Sequence, residues 1–373
     1  MSRTVKKNYP PFHADHVGSF LQPSRLKQAR AEWEQGRLSR DKLTEIEDEE
    51  VLRVVENQKA CGLRAITDGE LRRSWWHFDF FDHLQGLEGY NDTDGEPFNT
   101  VQPRTHHIRV VGKIDFDVSH PFLEHYRFLH KAVGIDGWSL AKQTLPSPTM
   151  LMHSCIRENA FYTSLEAYSD DLANTYRKAI LAFYDEGCRY LQLDDVFLAY
   201  LFDLREREKE QEAGIDLQYL LDICVRTLNL VLEVRPEDMY ISMHICRGSA
   251  MPSWIYQDGY DAIGYVIASV NVNGLFLEYD DEHSCSLELL RHITHQKVVL
   301  GVVTPHKGEL EDSAAIKMAV NTASLYVPLQ QLALGPLCGF SSTHGEAMLT
   351  EEQQWAKLRH IVNIAQEVWT MPD

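Results

Sequence analysis

The sequence has no uninterrupted run of about 18 apolar residues, the length a helix needs to span a bilayer. Its N-terminal stretch MSRTVKKNYPPFHADH carries basic residues with no apolar segment behind them, so no export signal is expected. Positive charge is also scarce, with 36 Lys and Arg against 55 Asp and Glu for a formal charge of -19. That balance argues against extended contact with nucleic-acid phosphate or anionic lipid. The expected partners are therefore small molecules, with no nucleic acid and no membrane. The seven cysteines are odd in number and scattered, without the density of a disulfide scaffold, which fits a reducing, cytoplasmic setting. No Pro/Ser/Gly-rich linker, low-complexity tract or solenoid-period repeat interrupts residues 1–373, so one continuous domain is expected.

What is present is alternation. Short apolar stretches at His16–Phe20, Leu63–Thr67, Tyr190–Leu193, Met239–Met243, Gly274–Leu277, Val298–Val303 and Leu332–Leu337 read as buried strands. Between most of them lie amphipathic helical patterns such as KLTEIEDEEVLRVVENQKACG, YSDDLANTYRKAILAFYDEGC, DLQYLLDICVRTLNLVLEV and SLELLRHI. Two helices run into KACGLRAIT and DEGCRYLQL, where a glycine can take the left-handed capping conformation before a strand. Strand and helix in alternation mean a parallel sheet with crossover helices. The expectation is an α/β fold, a single (β/α)8 TIM barrel. Gly86 to Gly137 breaks the pattern and reads as a loop and hairpin inserted after the second strand, a closing element or a contact for a homodimer.

The chemically useful residues follow the strands, on the side where barrel enzymes place their catalytic groups. They are Gly18-Ser19, Asp68-Gly69-Glu70, Asp194-Asp195, His244-Ile245-Cys246, Glu278, His306 and Cys338. In YISMHICRGS, His244 and Cys246 are two apart, so on a continuing strand both point the same way. With Glu278 and Cys338 from two other strand ends they make a tetrahedral zinc set, because thiolates favour zinc over magnesium or calcium. The competing readings are a turn carboxylate among Asp280, Asp281 and Glu282 for Glu278, and a packed thiol for Cys338.

The motifs VGSF, DGE, LQLDD, HIC, a lone Glu, GVVTPH and LCGF, in this order, resemble the C-terminal catalytic barrel of cobalamin-independent methionine synthase. The likeness is greatest to its short single-barrel relatives and runs from about Asp15 to Phe340. The resemblance implies Zn2+ on the same four residues, His244, Cys246, Glu278 and Cys338. It further implies that Val17, Gly18, Ser19, Glu70 and Asp194 hold the amino-acid end of homocysteine. Carboxylates suit the ammonium, and backbone N–H groups with a hydroxyl suit the carboxylate. Their competing roles are a barrel-floor turn, a helix cap and support of neighbouring groups. By the same resemblance His306 relays a proton to the departing methyl donor; otherwise it is a loop histidine after Pro305.

The long enzymes of that family use methyl-tetrahydrofolate with several glutamates, stacked on a tryptophan. Here His153 stands at that position, and Thr304 stands where the family has an aspartate two residues before the relay histidine. Trp75-Trp76, preceded by Arg72 and Arg73, line a donor pocket or form a helix face packed on the insertion. The leading reading is a methyltransferase giving methionine. Two others stay open: the same zinc-thiolate chemistry with a methyl-corrinoid donor or with coenzyme M and an epoxide, and a uroporphyrinogen-decarboxylase-like barrel that binds a ligand without zinc.

Overall fold

The structure, a computed structural model, describes residues 9–91, 106–152, 159–202, 211, 212, 214, 216–246, 259–279, 287–341 and 349–369. In chain order it runs α1 (Ser24–Glu34), α2 (Arg40–Ala60), β1 (Ala65–Ile66), α3 (Phe78–Phe81), β2 (Gln85–Asn91), β3 (His106–Asp115), α4 (Pro121–Val133) and β4 (Leu140–Pro146). It continues with α5 (Leu165–Asp185), β5 (Tyr190–Asp195), α6 (Phe197–Phe202), α7 (Leu217–Leu232), β6 (Tyr240–Ile245), α8 (Gly259–Ser269) and β7 (Gly274–Glu278). The last elements are β8 (Lys297–Val303), α9 (Ser313–Ala323), β9 (Leu332–Pro336) and α10 (Glu351–Val368). Among the described residues no helix is long and apolar enough to cross a membrane.

Seven strands form one parallel sheet in the order β1-β4-β5-β6-β7-β8-β9. Both edges of that sheet bond to the same short segment before α1. On the β9 side, Asp15 N donates to Leu334 O at 3.0 Å and Leu334 N to His13 O at 2.8 Å. On the β1 side, His16 Nε2 meets Ala65 O at 2.9 Å and Thr67 Oγ1 donates to Gly18 O at 2.6 Å. The sheet is therefore curled into a TIM-like barrel. The strand expected at His16–Phe20 is not a regular one: scattered backbone bonds, such as Phe20 N to Gly69 O at 3.0 Å, act together with the side-chain bonds to close the circle there.

Strand alternation sorts the residues. Leu191, Leu193, Ile241, Met243, Leu275, Leu277, Leu300 and Leu334 join the large core shared with the helices, while Val17, Phe276, Val299 and Ala333 form a separate apolar cluster. Polar groups fill much of the remaining interior. Lys142 on β4 is buried and donates to Asp15 Oδ1 at 3.1 Å and His16 O at 2.5 Å, and Tyr190 OH donates to Asp15 Oδ2 at 3.0 Å. Such a buried pair specifies an arrangement more than it stabilises one.

β4, LAKQTLP, is a barrel strand that hydrophobic periodicity does not mark, because its Lys142 and Thr144 face the polar interior. The segment SLELLRHI forms a 3-10 turn at Leu287–His292 rather than an α-helix. The stretch 86–137 contains the antiparallel β2–β3 hairpin and also α4, which packs on α2 and β4 as a crossover helix. The two capping glycines behave as expected, Gly62 with φ 86° and Gly187 with φ 91°.

Candidate metal centre

β6 carries His244 to the barrel mouth, and Cys246 N donates to Asp195 O at 2.8 Å, which prolongs the strand register by one more bond. His244 and Cys246 thus share a face. β7 ends on Glu278. Beyond β9 the chain is held on both sides: Leu337 N donates to Val303 O at 2.9 Å and Phe340 N to Ser19 O at 3.0 Å. That fixes Cys338 between them. One nitrogen, two sulfurs and one carboxylate oxygen of these residues all lie within 4.8 Å of one another.

The distances suit a shared cation. The sulfurs of Cys246 and Cys338 are 3.5 Å apart and His244 Nε2 is 3.8 Å from Glu278 Oε1, too far for a hydrogen bond. Two thiolates at about 2.3 Å from one tetrahedral metal would stand about 3.8 Å apart. His244 Nε2 is also buried with no hydrogen-bond partner, a costly state for a ring nitrogen unless a ligand takes its lone pair. Its other nitrogen, Nδ1, meets Asp194 Oδ1 at 3.2 Å, the carboxylate–imidazole arrangement that fixes the tautomer of a metal-binding histidine. Burial alone would lower the imidazole pKa. The Asp194 bond and the negative groups Glu278 and Cys338 outweigh it and push the value up to about 10. Without a cation this pocket draws in a proton. Its donor set, soft sulfur with nitrogen and one carboxylate, is consistent with zinc.

The five residues expected to hold an amino acid surround the same mouth. Val17 O accepts from Gln192 Nε2 at 2.6 Å, and the same amide nitrogen donates to Asp194 Oδ1 at 2.7 Å. Gly18 has φ 137°, and a Cβ there would meet Thr144 Cγ2 at 2.6 Å, so only glycine lets the backbone lie this close. Ser19 packs on Gly339, where a Cβ would come 1.9 Å from its Oγ. Glu70 takes a left-handed φ of 59°, which costs a non-glycine residue on the order of 1 kcal/mol. Its Oε1 accepts from Thr144 Oγ1 at 2.6 Å and pairs with Arg73 at 3.2 Å. Burial raises its pKa, Arg73 opposes this, and the charges of Asp194 and Asp68 add to the rise.

His306 stands half-buried on the loop directly after β8, its N–H donating to Thr304 Oγ1 at 3.2 Å. Trp75 is half-buried edge-on against Phe78, with ring centres 5.9 Å apart. Arg73 is spent on Thr144, Trp76 O and Glu70, and Arg72 on Asp48 and Glu47, so both arginines brace the wall. His153 lies outside the described residues. Sequence reasoning missed Gln192 and Thr144, and it placed Arg73 beside the donor pocket rather than on Glu70. Gln192 had a usable signal, since it precedes Asp194 by two on one strand and must share its face.

A family model described as "Cobalamin-independent synthase, Catalytic domain" matches residues 12–367. The chain belongs to the cobalamin-independent methionine synthase catalytic-domain family. Within that family it is 44% identical over 370 residues to the uncharacterized protein YxjH of Bacillus subtilis (strain 168), covering 98% of this chain and 97% of that one. The crystal structure of a putative vitamin-B12 independent methionine synthase from Listeria monocytogenes superposes with a TM-score of 0.77 at 39% identity, covering 96% and 98% of the two chains. A B12-independent methionine synthase from Shewanella sp. W3-18-1, solved with selenomethionine, gives a TM-score of 0.70 at 18% identity over 96% and 98%, a likeness of fold. The cobalamin-independent synthase barrel with a His/Cys/Glu/Cys cluster at its mouth is thus the frame for function here.

Proposed function

We propose that this chain is a zinc-dependent S-methyltransferase that moves the methyl group of 5-methyltetrahydrofolate, as its polyglutamate, to the thiol of homocysteine, giving methionine. The observation that carries this reading is the convergence of four ligating atoms within 4.8 Å, two of them sulfur, beside the carboxylates of Asp194 and Glu70. His244, Cys246, Glu278 and Cys338 would hold the zinc, and the chemistry it supplies when bound is stabilisation of a thiolate whose free pKa is about 8.5. A site built to activate water more often has histidine-rich ligands, so the cysteine pair favours sulfur as the nucleophile.

The chain's own residues bind and orient. Asp194 uses Oδ1 for both Gln192 and His244, which leaves Oδ2 to receive the homocysteine ammonium. Glu70, braced by Thr144 and Arg73, offers a second carboxylate to the same group. Val17, Gly18 and Ser19 present backbone N–H groups and a hydroxyl to the substrate carboxylate. The thiol gives up its proton, sulfur bonds to the methyl carbon, and the donor's carbon–nitrogen bond breaks. His306 supplies the proton that the donor nitrogen takes up, the task of a general acid. Trp75 and, by its place in the sequence alone, His153 are the candidates for contact with the donor.

Thr304 and His153, where the long enzymes carry an aspartate and a tryptophan, support a second reading in which a methyl-corrinoid is the donor. The test is mass-spectrometric detection of product from zinc-loaded protein given homocysteine or coenzyme M with methyltetrahydrofolate mono- and polyglutamates, methylcobalamin or an epoxide. Methionine from homocysteine and the folate polyglutamate is expected. Product from methylcobalamin alone would move the donor to the second reading, and product only from coenzyme M and the epoxide would overturn homocysteine as acceptor.

A further inference from the structure

The loop that carries His306 is tied to the C-terminal helix by a buried ammonium. Lys357, on α10, has a side chain with 0% exposure. Its Nζ donates to Glu311 Oε1 at 2.8 Å, Glu311 Oε2 at 3.0 Å and Glu309 O at 2.6 Å, which uses all three N–H donors of a lysine. Glu311 Oε1 in turn accepts the N–H of Thr304 at 2.9 Å, and Thr304 Oγ1 accepts the N–H of His306 at 3.2 Å. A second tie runs from His360, also on α10, whose Nε2 meets Glu311 O at 2.8 Å. The loop lies so close to the helix that a Cβ on Gly308 would come 2.1 Å from Gln353 Nε2. The same helix also holds the chain after Ser19: Gln354 Oε1 accepts from Leu21 N at 2.8 Å, and Trp355 packs on Phe20 with ring centres 5.0 Å apart.

We infer that Lys357 and Glu311 are positioning residues for His306, acting through Thr304. This rests on the reading of His306 as the proton donor. A loop side chain reaches catalytic precision only when a rigid element fixes its backbone. Here the fixing element is one fully bonded cation in the interior, whose removal leaves the Glu311 carboxylate to pull away from Thr304. Displacement by about 1 Å costs a reacting geometry on the order of a hundredfold in rate, whereas the thiol pocket and metal cluster, to which neither Lys357 nor Glu311 bonds, keep their form.

Two measurements test it. In spectra of protein carrying 13Cε1-labelled histidine, the His306 signal is identified by its loss in His306→Gln. It is expected to shift or broaden in Lys357→Met and in Thr304→Val, with Lys357→Arg restoring it in part; an unmoved signal in both variants overturns the inference, whatever the reaction proves to be. In methyl transfer to homocysteine, Lys357→Met is expected to lower kcat by about tenfold to a hundredfold. KM for homocysteine and zinc content should stay unchanged, with no further loss when Lys357→Met is added to His306→Gln. Independent, multiplying losses overturn it. Thr304→Val, which leaves the buried pair intact, carries both tests if Lys357→Met does not fold. A His306→Gln variant with full kcat removes the proton-donor reading and the catalytic part of the inference together, while the spectra still report the positioning.

Discussion

Cys246 Sγ and Cys338 Sγ stand 3.5 Å apart although 92 residues separate them in the chain. Two thiolates at that separation repel each other strongly unless a cation or protons lie between them. His244, pushed up to about 10 by its acidic neighbours despite burial, shows the same need from the nitrogen side.

Zinc uptake should therefore release protons. At neutral pH the imidazole of His244 holds a proton that ligation must expel. Calorimetry in buffers of different ionisation enthalpy should find at least about one proton released per zinc near pH 7, with affinity falling as the pH drops. Zinc binding with no proton release would contradict the electrostatic picture of the site.

Asp194→Asn is expected to affect both halves of the mouth. It removes the charge that faces His244 Nδ1 and the carboxylate offered to the substrate ammonium. Zinc affinity, measured by competition with a chelator, should fall by about tenfold to a hundredfold, and KM for homocysteine should rise. A variant with wild-type affinity and KM would remove Asp194 from the account.

Acid should weaken the fold through His16. Its Nε2 bonds to Ala65 O at 2.9 Å, and burial together with the charge of Lys142 pushes its pKa down to about 4. The unfolded chain binds that proton at about 6.5. The stability involved is present in full above about pH 6.5 and is lost as the pH falls toward about 4, by up to ~3 kcal/mol. His16→Gln, which can keep a hydrogen bond without titrating, should flatten urea-unfolding stability between about pH 7.5 and 4.5 by roughly that amount. An unchanged slope would show that the acid sensitivity lies elsewhere, for example at His120, whose pKa burial also lowers to about 4.

The sequence made the metal cluster legible because each ligand ends a strand or directly follows one, and strand ends of a barrel meet at one rim. It did not reveal β4, because a strand facing a polar interior loses the apolar alternation that marks strands elsewhere. Val17–Ser19 were expected within a regular strand, whereas scattered backbone bonds and the side chains of His16 and Thr67 join that segment to its neighbours. Lys357 was invisible for a simpler reason. A lysine on an amphipathic helix reads as solvated, and only the fold shows its ammonium enclosed by Glu309 and Glu311.

The most direct measurement is zinc content and methyl transfer to homocysteine, compared between the wild type and Cys338→Ala, on protein purified without a metal-binding tag. The wild type is expected to hold about one zinc per chain and to make methionine. Cys338→Ala should retain less than about 0.2 zinc and lose the activity. Full methyl transfer by the zinc-free variant would contradict the central claim that these four side chains build the reacting centre.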